Sequence, residues 1–79
     1  MNSFTEHGMI FKRIEPQNVT AKEETNLREK PTTDSNIVHT LKNGEYVTMV
    51  AYSDSGWAKL DFNGQTVYAV KSFLIINNV

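Results

Sequence analysis

Apolar and polar residues alternate along most of the chain after Val19, and clusters of turn-forming residues interrupt the alternation repeatedly. A period of two places successive side chains on opposite faces of a β-strand. Turns at a spacing of roughly 8 to 12 residues are typical of a sandwich or small barrel. The pattern therefore predicts an all-β chain, with five or six short strands at residues 19–23, 37–41, 46–52, 57–62, 66–70 and 74–76.

Four polar segments separate these strands. Asn43-Gly44 and Asn63-Gly64 are predicted to supply the positive φ of tight hairpin turns, and Asp54 begins a turn that Gly56 ends. A longer polar segment, residues 30–36, contains Pro31. Each turn is predicted to join two paired strands.

Strand parity suggests which aromatic side chains lie outside the core. In strand 57–62, Ala58, Leu60 and Phe62 share the apolar face, so we expect Trp57 to point away from the core. The same parity in strand 66–70 places Tyr68 outside too. Trp and Tyr are enriched at binding hot spots, which makes this outer face a candidate binding surface. In strand 46–52, Val47, Met49 and Ala51 are expected to share the core face.

Residues 1–17 show no sustained period of either kind. We interpret them as a leader or linker, with one short edge strand at residues 9–14 that Pro16 would end. Residues 18–79 are predicted to form the folded domain.

Composition excludes several classes of protein. A chain of 79 residues holds one domain, and the absence of cysteine excludes disulfides and thiolate metal ligands. A net charge of -1 removes the electrostatic attraction on which nucleic-acid binding depends. No apolar run is long enough for a membrane span, and the first residues lack the order of a signal peptide. We expect neither nucleic acid nor a membrane as a partner, and we favour a domain cut from a longer chain over a cytoplasmic protein.

Catalytic and metal-binding patterns are also missing from the sequence. His7 and His39 have no partner at metal-ligand spacing, and no serine or threonine is accompanied by the base and acid that a nucleophile needs. We therefore predict no metal, no cofactor and no enzymatic activity.

Four segments resemble bacterial SH3 domains. Residues 25–32 (Thr-Asn-Leu-Arg-Glu-Lys-Pro-Thr) are similar to the family's opening "N-[LV]-R-x-x-P-[ST]", and residues 37–44 to its "V-I-x-x-L-x-x-G". Residues 56–60 resemble "G-W-x-K-V", and residues 63–74 resemble "N-G-x-x-G-W-V-x-x-x-Y-L". The order and spacing of all four segments carry the resemblance, since each one alone is common. Two positions depart from the family pattern, where Val67 replaces a glycine and Phe73 replaces a tyrosine.

The resemblance implies a small SH3-like barrel of five to six antiparallel strands, with a long loop after the first strand beside a shallow groove. Members of the family are appended to peptidoglycan hydrolases, phage lysins and surface proteins. We therefore expect a non-catalytic, monomeric module that binds a cell-wall peptide or glycan. It would be extracellular, associated with the cell wall and covalently linked to a hydrolase or surface protein. The alternative is a structural module that packs against a neighbouring catalytic domain and has no free ligand. Binding of proline-rich peptides ranks last, because the loop carries Lys30 beside its acidic residues.

Five residues are candidate ligand contacts, each with a structural alternative. Trp57 is expected to contact the ligand or else to close one end of the barrel. Arg28 is expected to bind a ligand carboxylate, or to donate hydrogen bonds to loop carbonyls. Tyr68 and Tyr52 would line the same groove, although tyrosine is also ordinary on a half-exposed sheet. Asp54 would bind a ligand amine or only build its own turn.

Overall fold

The structure is a computed structural model that describes residues 2–76. Residues 77–79, the end of the predicted domain, lie outside the described residues. The described chain forms eight strands and one turn of 3₁₀ helix. They are β1 (Ser3–Glu6), β2 (Met9–Ala21), β3 (Glu24–Arg28), β4 (Ile37–Lys42), β5 (Val47–Ser53), β6 (Trp57–Phe62), β7 (Gln65–Val70), the 3₁₀ turn (Lys71–Phe73) and β8 (Leu74–Ile76).

All eight strands belong to one antiparallel sheet, which confirms the predicted all-β, SH3-like class. The strand order is β1-β2-β5-β6-β7-β3-β4, and β8 pairs with β2 beside this path. The turn after β4 closes the sheet back onto β2. There the Asn43 side-chain amide donates to the Ala21 carbonyl at 2.9 Å, and the Gly44 N–H donates to Thr20 Oγ1 at 2.9 Å. These bonds satisfy polar groups that the ends of a curled sheet would otherwise leave unpaired.

Two of the predicted tight turns join paired strands. Asn63 (φ 53°) and Gly64 (φ 85°) connect β6 to β7, and the Gly56 N–H closes the turn between β5 and β6 on the Ser53 carbonyl at 3.0 Å. The prediction for Asn43-Gly44 was wrong. Only Gly44 has a positive φ, and the strands on either side of it do not pair with each other, since β4 pairs with β3 and β5 pairs with β2 and β6.

Strand β2 runs through the boundary that the sequence suggests between residues 17 and 18. Its first part pairs with β1 and its last part with β8, while β5 pairs along its other side. The segment is therefore not the predicted edge strand. A register shift between Arg13 and Gln17, beside Pro16, bends β2 midway, so that its two halves cover different parts of the molecule. Strand β3 was not predicted, because its residues resemble a loop motif more than an alternating strand.

The larger hydrophobic cluster lies inside the barrel. Ala58 and Leu60 are fully buried there, as the parity of β6 predicts. Each large aliphatic side chain contributes roughly 1.5–3 kcal/mol when fully buried. The buried members are Val19, Ala21, Leu27, Leu41, Val47, Met49, Ala58, Leu60, Val67 and Ala69.

A second, smaller cluster lies on the opposite face of β5, β6 and β7. Its buried members are Phe11, Ala51 and Tyr68, and Phe4, Met9 and Trp57 pack against them. A β-bulge in β5 brings Ala51 to this face. Met49 pairs with Leu60, whereas Ala51 pairs with Lys59 on the other side of the sheet. The expectation that Ala51 shares a face with Met49 was therefore wrong.

Candidate functional site

A groove of about 200 Å³ lies between β3, the 30–36 loop, the start of β6 and the 3₁₀ turn. Its lining combines a polar wall with an apolar floor. The lining residues are Glu24, Thr25, Asn26, Arg28, Thr33, Trp57, Val70 and Phe73.

Three side chains form the apolar floor. Trp57 and Val70 are directly paired across β6 and β7, which places their side chains on the same face. Trp57 is half-buried, and Phe73 is 52% exposed. The Lys71 N–H donates to the Gly56 carbonyl at 2.8 Å, so the 3₁₀ turn and the start of β6 are held together.

Arg28 supports the polar wall through the long loop. Its Nη1 donates to the Thr33 carbonyl at 2.9 Å and to the Ser35 carbonyl at 2.8 Å. The interpretation that this arginine hydrogen-bonds loop carbonyls is therefore confirmed. Ser35 Oγ lies 2.9 Å from the carbonyl oxygens of Lys30 and Thr32, either of which accepts its single proton. The loop consequently has a defined shape beside the groove.

Tyr68 does not line the groove. It lies on the predicted outer face of the barrel, but only 3% of its surface is exposed, so the expectation that it lines the groove was wrong. The reason is the N-terminal hairpin, which we define as β1, its turn and residues 9–12 of β2. This hairpin folds over the outer face of β7. The Phe11 ring lies 5.9 Å from the Tyr68 ring, and the His7 ring meets it edge-on at 5.4 Å.

Glu6 ties the hairpin to the sheet. Its carboxylate accepts a hydrogen bond from the Tyr68 hydroxyl, and its Oε1 lies 3.0 Å from Lys59 Nζ. The Tyr68 hydrogen bond, and after it the hydrogen bond and charge of Lys59, hold the pKa of Glu6 below its usual value. Burial, and then the bonded Glu6 carboxylate, raise the pKa of Tyr68. The pair is therefore an ionised carboxylate and a neutral phenol at neutral pH.

Tyr52 and Asp54 line a different depression, together with Asn2, Ser3, Ile10 and Lys12. Lys71 Nζ lies 5.0 Å from the centre of the Tyr52 ring. In the neighbouring turn, the Ser55 N–H donates to Ser53 Oγ at 3.1 Å, so Ser53 rather than Asp54 supplies the side-chain bond. Of the five predicted ligand contacts, the structure brings only Arg28 and Trp57 together in one groove. Ligand binding by any of the five stays a prediction.

Sequence reasoning missed several lining residues. Glu24, Thr25 and Asn26 belong to the unpredicted strand β3, where Asn26 Oδ1 accepts a hydrogen bond from Thr40 Oγ1 at 3.1 Å. Phe73 had a signal in the sequence, because it departs from the family's tyrosine. A phenyl ring has no hydroxyl to satisfy, so its exposure leaves a purely apolar surface.

Residues 2–76 contain neither a cluster of metal-ligating side chains nor a membrane-spanning helix. No three side chains of His, Cys, Asp or Glu in this range converge closely enough to hold a metal ion. None of its helical residues forms a segment with the length and apolar character that a membrane crossing requires.

A curled antiparallel sheet with a long loop beside a shallow aromatic groove defines a small β-barrel domain of the SH3-like class. The model of the bacterial SH3 domain family matches residues 23–75, and the chain belongs to this family. Domains of this family are typically non-catalytic binding modules and often occur in cell-wall-associated proteins. A comparison with curated proteins gives no match. Strands β1 and β2 both precede the matched residues.

Proposed function

We propose that the protein binds an extended cell-wall peptide in the groove of Trp57 and Phe73, and so holds an attached protein at the bacterial cell wall. The observation that carries this proposal is the partly exposed aromatic floor beside an ordered polar wall. Exposed aromatic surface is unfavourable in water unless something covers it, and concave sites of this composition suit ligands with both apolar and polar groups.

The lining supplies complementary chemistry for a peptide. The indole of Trp57 offers a flat surface to a peptide backbone or a sugar face. Asn26 and Thr25 carry groups that hydrogen-bond peptide amides and carbonyls. Glu24 and Arg28 place charges of opposite sign in the same groove, which suits a ligand with an amine and a carboxylate.

The size of the groove implies weak binding. Its volume of about 200 Å³ lies below the range of roughly 300–1,000 Å³ for small-molecule pockets. We expect a dissociation constant of about 1 μM to 1 mM, a range that corresponds to a modest binding free energy. Attachment to a wall hydrolase or surface protein would raise the effective concentration at the wall. The proposed module is an extracellular monomer.

A cell-wall pulldown tests the proposal. The native protein and a Trp57→Ala variant are mixed with purified bacterial cell walls, and the protein in the sedimented fraction is measured. Tyr46→Ala is the matched control, because Tyr46 is an exposed aromatic residue outside the groove lining. We expect the native protein and the control to sediment, and Trp57→Ala to remain in solution. Amide shifts on addition of wall fragments should centre on the groove residues. Native protein that remains in solution would overturn the proposal.

That last outcome would favour the second candidate, a structural module that packs against a linked catalytic domain. The observation that supports it is the exposure of Ile75 (43%) and Ile76 (39%) on β8. The two side chains lie on opposite faces of β8, and a strand with exposed aliphatic side chains on both faces is typical of an edge that another domain covers. In that case, linking the module to the domain should bury both isoleucines and protect the amides of β8 from exchange.

A further inference from the structure

The side chain of Trp57 contacts two different parts of the molecule. One part of its side chain lines the groove, and another packs against the second cluster of Phe11, Ala51 and Tyr68. The second cluster therefore helps to hold the indole in its place at the groove.

That support exists because the N-terminal hairpin covers the outer face of the sheet. Phe11 is fully buried, and the Phe4 ring stacks on it with centres 5.6 Å apart. The Phe4 ring also lies between two cations, with Arg13 and Lys59 each 4.8 Å from its centre. Without the hairpin, the face that carries Tyr68 would be exposed, and the cluster against which Trp57 packs would lose Phe11.

Three polar contacts attach the hairpin close to Trp57. Glu6 bonds Tyr68 and Lys59, which lie on the strands that carry the groove floor. The Ser55 hydroxyl lies 3.3 Å from the sulfur of Met9, in the turn that leads directly into Trp57. The hairpin is thus attached to β6, to β7 and to the turn before Trp57.

Contacts through Tyr68 also connect the hairpin to the polar wall of the groove. Tyr68 is the direct β-sheet partner of Arg28, whose guanidinium holds the Thr33 carbonyl at the groove. Displacing Tyr68 would therefore disturb the loop as well as the floor. The packing against Trp57 and the pairing with Arg28 both involve Tyr68, which is bonded to Glu6.

We infer that the N-terminal hairpin, which lies outside the residues matched by the family, sets the shape of the ligand groove, with Glu6 and Tyr68 as positioning residues for Trp57. The part of this inference that concerns ligand binding rests on the proposed function. The positioning of Trp57 stands on the packing alone.

The test uses Trp57 itself, because it is the only tryptophan in the chain. Tyr68→Phe removes one hydroxyl, and Glu6→Gln removes the charge with little change in shape. We expect both variants to increase the quenching of Trp57 fluorescence by acrylamide. We also expect roughly two- to tenfold weaker retention on cell walls, since apparent affinity falls with the fraction of molecules whose groove is formed.

Three control variants separate positioning from stability. Tyr46→Phe and Glu15→Gln make the same chemical changes at exposed positions and should leave quenching and retention unchanged. Val47→Ala weakens the larger cluster and should lower the unfolding temperature while leaving the quenching of the folded protein unchanged.

The two proposals fail in different ways. Native protein that does not bind walls overturns the proposed function, while the quenching comparison still decides the positioning of Trp57. Unchanged quenching and retention in Tyr68→Phe and Glu6→Gln overturn this inference. Unfolding of both variants would overturn it too, because the hairpin would then hold the whole fold rather than Trp57 in particular.

Discussion

The hydroxyl of Tyr68 donates a hydrogen bond to the carboxylate of Glu6, 62 residues earlier in the chain. Their strands, β7 and β1, are separated in the sheet by β2, β5 and β6. The sheet therefore curls far enough for β1 and β7 to meet across one face. Tyr68 also belongs to the second hydrophobic cluster, which lies on the outer face of the barrel and against which Trp57 packs.

The stability of the hairpin should depend on pH through Glu6. A carboxylate with a lowered pKa stabilises the folded state above its unfolded pKa, and the contribution is lost as pH falls through the folded value. We therefore expect Glu6→Gln to destabilise the protein at pH 7, and the difference from the native protein to shrink as pH falls below the usual value of 4.5. Urea unfolding at a series of pH values measures this difference.

The comparison assigns the pH dependence to Glu6 only if every other titratable group contributes equally to the stability of the native protein and of Glu6→Gln. Glu45 also has a lowered pKa, because the Lys42 backbone N–H and the His39 side chain bond it, and it contributes equally to both curves. Tyr68 stays neutral over this range, since its pKa is raised. A constant difference between pH 7 and pH 3 would contradict the assignment to Glu6.

Phe11 should be essential to the second cluster. Phe11→Ala removes a fully buried ring, and such truncations cost about 3–5 kcal/mol of unfolding free energy. The adjacent Ile10 is 68% exposed, so Ile10→Ala should change stability by less than about 0.5 kcal/mol. Urea unfolding of the two variants makes the comparison. Equal effects would show that the hairpin does not pack as described.

Arg28→Lys should loosen the long loop. A lysine keeps the charge but lacks the planar guanidinium that reaches the carbonyls of both Thr33 and Ser35. We expect faster hydrogen exchange of amides in residues 30–36 and a loss of about 1–3 kcal/mol of unfolding free energy. Lys30→Arg, in the same loop, is the control and should leave exchange unchanged. If exchange in the loop is the same in Arg28→Lys, the guanidinium does not order it.

Gly64→Ala should weaken the turn between β6 and β7. Gly64 has φ 85°, a conformation that costs a residue with a Cβ about 1–2 kcal/mol. At the neighbouring position, Asn63→Gly keeps a residue that tolerates positive φ and should be nearly neutral. Thermal unfolding compares the two variants, and equal melting temperatures would argue against this turn geometry.

The family segments and the strand parity made much of the fold predictable. Strand β6 begins and ends as predicted, and the burial of Ala58 and Leu60 follows from the period of two. The Asn63-Gly64 turn has the predicted backbone because few residues tolerate its positive φ. The N-terminal hairpin was not predicted, because residues 3–12 carry no sustained alternation and their burial depends on partners far along the chain.

The sequence by itself determined the all-β class, the family, and the faces of β6 and β7 on which Trp57 and Tyr68 lie, because these depend on local periodicity and turn chemistry. Only the tertiary structure decided what covers each face. Parity places Trp57 and Tyr68 outside the barrel alike, yet one lines a groove and the other is buried beneath Phe11 and Glu6. The difference arises from packing between residues distant in the chain, about which alternation along a single strand carries no information.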